Sequence, residues 1–198
     1  MNSENTNKII KFDLAAREEL LLGVEKLVEA VRITMGPKGM NVVIEQKGAH
    51  PVLTKDGVTV AKSINLKDPF LNLGVQMIKE AASRTADLAG DGTTTATVLT
   101  HAIFSEGLKM MAAGYKSTDI KRGIDLATSE IILNLTKMSS EINTKEEIKQ
   151  VACISANGEE KIGDLICDAL EAVGTDGIIT VEDAKGYSSS LVVMEGMQ

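Results

Sequence analysis

Three consecutive threonines follow a Gly-Asp-Gly turn at residues 90–95, and this stretch has the clearest capacity for chemistry. Thr93, Thr94 and Thr95 open a run that reads as a helix. Free backbone N–H groups, three hydroxyls and the positive end of the helix dipole therefore converge at one point. Such a point suits phosphate. A carboxylate beside it repels phosphate unless a divalent cation lies between them, which makes Asp91 a candidate Mg2+ ligand, with Gly92 shaping the turn. The competing reading is an Asp-Gly turn with threonine caps and no ligand. No Gly-x-x-x-x-Gly-Lys-Ser/Thr string occurs, so the loop is not a P-loop.

Two further segments have the residue types to join such a site. Thr34, Met35, Gly36 and Pro37, followed by Lys38 and Gly39, form a glycine-bearing loop at the end of a helical run; taken alone, this is more often a plain helix stop. Lys55 is suited to phosphate oxygens and Asp56 to orienting a water or a metal-bound ligand, although a lone Lys-Asp-Gly is usually an exposed turn. His50 and His101 have no ligand partners near them in sequence. Cys153 and Cys167 sit in no metal-binding or CxxC spacing, so both read as reduced, packed thiols.

The elements that must position these residues are mostly helices. The first runs from Asp13, expected as its cap, with Ala16, Leu20, Leu27 and Val31 near one face, and stops at Gly36-Pro37. Residues 41–45 and 51–54 read as a β-hairpin, which is marginal in water unless it finds another strand. Helices follow over 72–89 and from Thr93 to residue 113, the latter expected to bury Val98, Leu99, Ala102, Ile103 and Met110. Ser117 or Thr118 caps another, with Ile120, Ile124, Ala127, Ile131 and Leu135 on one face. Thr144 to Glu147 is a capping box, and residues 157–160 open a last helix ending at Gly174. Two more short strands are expected at 178–182 and 191–194, with a domain boundary near residue 140. The polar start, residues 2–7, reads as a loose tail.

Composition supports a globular chain. Of 198 residues, 43% are hydrophobic and only 3% aromatic, so the cores rest on Leu, Ile, Val, Ala and Met. The net charge of −7 argues against a nucleic-acid surface, and no run has the length and apolarity of a membrane span.

The strings Thr-Met-Gly-Pro-Lys-Gly (34–39), Thr-Lys-Asp-Gly-Val (54–58) and Ala-Gly-Asp-Gly-Thr-Thr-Thr-Ala-Thr (89–97) together resemble, in order and spacing, the nucleotide-site segments of group I chaperonins, the GroEL type. Lys121 to Asp125, Ile154 to Asn157 and Val193 to Gln198 extend the match across nearly the whole chain. The resemblance implies a mainly α fold with small β elements. Residues 1–140 would be the N-terminal segment of a helical, ATP-binding equatorial domain. Residues 141–194 would be the first segment of an α/β intermediate domain, and 195–198 the start of an apical domain.

It also implies an ATPase that assists protein folding in a ring-shaped cage. ATP and Mg2+ would be held by Thr34, Met35, Gly36, Pro37, Lys55, Asp91, Gly92, Thr93, Thr94 and Thr95, with Asp91 on the metal and Asp56 beside the γ-phosphate in a supporting catalytic role. The partners implied are further copies in seven-membered rings, stacked in two, a co-chaperonin and unfolded polypeptides. No nucleic acid or membrane is implied, and the setting is cytoplasmic or an organelle matrix of bacterial type. Met40 and Lys116-Ser117 depart from the family's usual Arg and Asn-Pro, and Met40 bears on a ring contact.

The chain stops directly after an apolar stretch, which reads as truncation. The main catalytic aspartate is expected in a missing returning segment, so this chain alone is expected to fall short of full activity. The alternative is a naturally short, non-catalytic assembly or binding protein with the equatorial fold. A small-molecule phosphotransferase has little support, because no acceptor pocket is suggested.

Overall fold

The computed structural model describes residues 9–156, 158–174, 177–182, 186, 189–194 and 196. Its elements in chain order are α1 (Asp13–Arg32), β1 (Val42–Ile44), β2 (Val52–Thr54), α2 (Gly57–Ser63), α3 (Pro69–Ala89), α4 (Thr93–Ala112), α5 (Ser117–Met138), α6 (Lys145–Ser155) and α7 (Glu160–Val173). The chain divides into two compact units, Met1–Thr128 and Ser129–Gln198, with the division falling inside α5. The expected tail and the residues assigned to an apical start, Gly196 apart, lie outside the described residues.

In the first unit α1 packs along α3 and α4, and α2 closes one side. The core is aliphatic: Val24, Leu27, Val28 and Val31 from α1 meet Val60 and Ala61 from α2 and Val75, Ile78 and Ala82 from α3. Each fully buried Leu or Ile contributes about 1.5–3 kcal/mol relative to exposure. Helices α1 and α3 approach closely because each puts a glycine at the crossing. A Cβ at Gly23 would run into the backbone of Leu71, and one at Gly74 into the carbonyl of Leu20.

Several helix ends differ from the sequence expectation. Asp13 is not a cap: it is the first residue of α1, at φ 60°, and Phe12 precedes it with no side-chain cap bond. Helix α3 begins earlier than residue 72, because Asp68 caps it through bonds to the N–H groups of Phe70 and Leu71, and Pro69 supplies a preset φ at its first position. Helix α2 is a new element, seven residues long and capped by Asp56.

The hairpin forms as expected, antiparallel, pairing Val42 with Thr54, Val43 with Leu53 and Ile44 with Val52. Val42 and Ile44 turn toward the core while Val43 and Leu53 face outward.

The expected apolar face of α4 is covered only in part, with Val98 packed against the core, and that of α5 is not covered. Helix α4 turns Thr93, Thr97, Phe104 and Leu108 inward, whereas Leu99, Ile103 and Met110 are exposed, and α5 buries no residue. Both helices are apolar on more than one side, so periodicity alone does not choose the face that packs.

In the second unit α6 and α7 form an antiparallel pair. Lys145 is paired with Glu171 at 2.7 Å and Lys149 with Asp164, while Cys153 packs over Gly163, where a Cβ would collide with its Sγ. The capping box is present: Thr144 Oγ1 accepts from Glu147 N–H, and Glu147 Oε2 accepts from Thr144 N–H at 3.0 Å. The Asn143 N–H, which also donates to Glu147 Oε2 at 3.0 Å, and then Thr144 bring the Glu147 carboxyl below its ordinary value. Cys167 is buried and Cys153 half-buried, both as free thiols.

The second strand pair does not form among the described residues. Residues 178–182 and 191–194 carry no strand pairing, and Ile178 and Val181 are almost fully exposed. Two short arms without a covered face or a further neighbour gain too little to hold a ladder.

Candidate functional site

Where α1 ends, Thr34 turns its hydroxyl back to the Val31 carbonyl (2.8 Å) and is itself buried. Gly36 takes φ +75°, and the loop closes through Gly39 N–H to Gly36 O and Met40 N–H to Ile33 O, both 2.9 Å. A Cβ on Gly39 would collide with the Thr34 carbonyl, so this loop requires glycine there.

Between α3 and α4 the chain turns on two left-handed glycines, Gly90 (φ 70°) and Gly92 (φ 82°), with Asp91 between them. Asp91 Oδ1 accepts from Gly92 N–H. No side chain caps α4, and its first helical bond runs from Ala96 N–H to Gly92 O, so the N–H groups of Thr93, Thr94 and Thr95 precede the ladder.

The start of α2 lies against this turn. Gly57 is buried and a Cβ there would strike Thr94 Oγ1, so the two helix N-termini meet through a missing side chain. Asp56 caps α2: its Oδ1 accepts from Val58 N–H (3.2 Å), and its Oδ2 accepts from Thr59 N–H (2.9 Å) and the Thr59 hydroxyl (2.6 Å). Burial pushes the Asp56 carboxyl up, but the bonds from Thr59 and Val58, with Lys62 nearby, outweigh it and bring the group below the ordinary aspartate value.

These three segments enclose a cleft of about 270 Å³ with a largely polar wall, formed by residues 34–36, 56–58 and 90–95. Thr34, Met35, Gly36, Asp56, Asp91, Gly92, Thr93, Thr94 and Thr95 thus come together. Pro37 and Lys55 stand next to lining residues in sequence but are not in the wall. Gly57, Val58 and Gly90 are, although the sequence reading did not single them out as site residues. The signal for Gly57 was its place after an aspartate; nothing in the string shows that Thr94, 37 positions further along the chain, leans on it.

The donor set bears on what fits. Three N–H groups at a helix start favour an anion, while Asp56 and Asp91 oppose one. Among the described residues no three His, Cys, Asp or Glu side chains cluster to hold an ion by themselves. A Mg2+ shared between one carboxylate and phosphate oxygens satisfies both conditions, since that ion binds through one or two carboxylates plus substrate. A larger groove of about 340 Å³ between α4 and α5 is lined almost wholly by apolar atoms and has little to offer phosphate.

Residues 27–198 match the TCP-1/cpn60 chaperonin family. The chain belongs to that family. Among solved structures, a group III chaperonin in the open state is 24% identical with a TM-score of 0.67, the match covering 81% of this chain and 32% of that one. The chaperonin gp146 from bacteriophage EL 2 (Pseudomonas aeruginosa), crystallised in the presence of ATP-BeFx, is 32% identical with a TM-score of 0.64, covering 77% of this chain and 27% of that one. This chain therefore spans about a third or less of the chaperonins it matches. The mainly helical fold with a small two-stranded sheet agrees with the chaperonin expectation. Neither structural neighbour is specifically of the GroEL type, one being a group III and the other a phage chaperonin, so chaperonin membership is the level these likenesses support. Among the described residues no helix is long and apolar enough to cross a membrane.

Proposed function

We propose that this chain is the N-terminal part of a GroEL-type chaperonin subunit that binds Mg·ATP in the cleft at the start of α4. The convergence of residues 34–36, 56–58 and 90–95 around uncapped N–H groups carries this reading. On it, residues 1–140 serve as the equatorial segment, 141–194 as the intermediate segment and 195–198 as the apical start. The phage chaperonin it resembles was crystallised in the presence of ATP-BeFx, which supports a nucleotide as the ligand.

The bound nucleotide would supply the hydrolysable phosphoryl group, with Mg2+ offsetting its charge. The N–H groups of Thr93, Thr94 and Thr95 bind phosphate oxygens, and Asp91 holds the metal. Thr34, Met35 and Gly36 shape the facing wall, while Pro37 and Lys55 act from its margin. Asp56, kept ionised by its cap bonds, orients a water as a supporting catalytic residue. Assembly into paired seven-membered rings, co-chaperonin capping and enclosure of unfolded polypeptides, in a cytoplasmic or bacterial-type matrix setting, belong to the complete subunit.

The test is turnover. A complete subunit containing this sequence should hydrolyse ATP with Mg2+, and the 198-residue chain should do so far more slowly, because it lacks the carboxylate expected to align the attacking water. Equal rates for the two would overturn the assignment.

A further inference from the structure

Asp56 does not face the cleft as a freely rotating carboxylate. A carboxylate has about four acceptor positions, two on each oxygen. Among the described residues, Oδ2 accepts two bonds, from the Thr59 N–H and the Thr59 hydroxyl, and Oδ1 accepts one, from Val58 N–H. One position on Oδ1 is left. Thr59 itself is absent from the cleft wall, whereas Asp56 is part of it.

We propose that Thr59 is a positioning residue, whose hydroxyl fills the second site on Asp56 Oδ2 and so leaves a single acceptor, on Oδ1, aimed for a water in the cleft. The inference rests on the nucleotide reading above and deepens it. An N-cap aspartate held only by two backbone N–H groups keeps latitude in χ1 and in the tilt of its carboxylate plane. Its two oxygens are equivalent, so what the 2.6 Å hydroxyl bond adds is a third fixed donor that holds that plane and with it the direction of the open acceptor position. The Thr54 hydroxyl, which accepts from Asp56 N–H at 3.0 Å, fixes the backbone on the other side. The charged groups about it are Lys62 on the same helix, which acts on it electrostatically, Lys55 next to it in the chain, and Asp91, which shares the cleft wall. Their attraction and repulsion are not directional enough to fix the carboxylate plane, and the hydroxyl bond is.

The experiment compares Thr59→Val, which keeps the branched shape, and Thr59→Ser, which keeps the hydroxyl, with the unchanged protein. Scalar couplings to the Asp56 Hβ protons in the 198-residue chain report its χ1 rotamer. They should show one conformer in the unchanged chain and in T59S, and averaging in T59V. In the complete subunit, T59V should lower kcat roughly tenfold or more, as expected for loss of a hydrogen bond to a charged group, with KM for Mg·ATP little changed, and T59S should restore kcat. A fixed Asp56 rotamer and unchanged kcat in T59V would overturn the role of Thr59 while leaving the cleft reading intact. If the unchanged protein binds no Mg·ATP at all, the nucleotide reading itself fails. Should T59V unfold, the amount of folded T59S and its couplings still decide the point: averaging in T59S would contradict the proposal.

Discussion

At its first turn α4 buries Thr93 and Thr97, with α1 and α2 packed on it, whereas further along Leu99, Ile103 and Met110 lie open on the side toward solvent and α5. The first end is rich in threonine, and the larger apolar side chains come later in the helix. The first end is fixed by devices that act over a few residues: two left-handed glycines, an aspartate cap on α2, and the Gly57–Thr94 contact. Each is complete within this chain. The second end relies on apolar surface alone, and apolar surface specifies that something should cover it without specifying what. Helix α5 repeats the lesson, for Ile131 and Leu135 stand at helical spacing yet remain more than half exposed.

This contrast can be broken by substitution. The largest effect is expected at the packed end. Leu27, with no exposed surface, is surrounded by α2 and α3 side chains, and Leu27→Ala should cost about 2–5 kcal/mol by urea denaturation. A cost below that of ordinary surface changes would mean that the first unit is not packed as described. Next, Gly57→Ala forces a methyl onto Thr94 Oγ1, and overpacking of this kind costs about 1–3 kcal/mol. It should also displace the α4 N-terminus, visible as shifted amide resonances at Thr93 to Thr95.

A smaller effect concerns pH. The Asp56 carboxyl is lowered in the folded chain, so its contribution is fully present above the ordinary aspartate range and is lost as pH falls through the folded value. Asp56→Ala should therefore cost about 1 kcal/mol near neutrality, and the gap should narrow in acid. A gap that widened in acid would reverse the sign of the argument. The smallest effect is expected at the open end. Ile103→Ala should stay within about 0.5 kcal/mol of the unchanged chain, as for a surface position. A core-sized loss there would show that α4 and α5 do cover this face.

The sequence was most legible where structure is set locally. Helical periodicity placed α1, α4, α6 and α7, the Thr144–Glu147 box marked the start of α6, and the hairpin arms fell within a residue of β1 and β2. Helix α2 was missed because seven residues are too few to show a period, and its cap, Asp56, reads equally well as a turn. The Asp68-Pro69 start of α3 was overlooked although both residues are favoured there. The strands at 178–182 and 191–194 were inferred from β-branched runs, but a strand is defined by its partner, which propensity does not reveal. In the cleft, residues 34–36 and 91–95 were legible only together: each string alone reads as an ordinary helix stop or capped turn, and their joint order and spacing carried the resemblance. Gly57 and Thr59 were not, since their roles exist only in contacts with Thr94 and Asp56.

The account turns on a triphosphate settling at the start of α4 with a metal between it and Asp91, and the most direct measurement is a Mg·ATP titration followed by amide resonances of the 198-residue chain. The account predicts shifts concentrated at residues 34–36, 57–59 and 91–95 that vanish without Mg2+ and, in Asp91→Ala, weaken roughly 100-fold or more, as befits loss of a direct metal ligand. Shifts that ignore these amides, or that persist unchanged in Asp91→Ala, would contradict it.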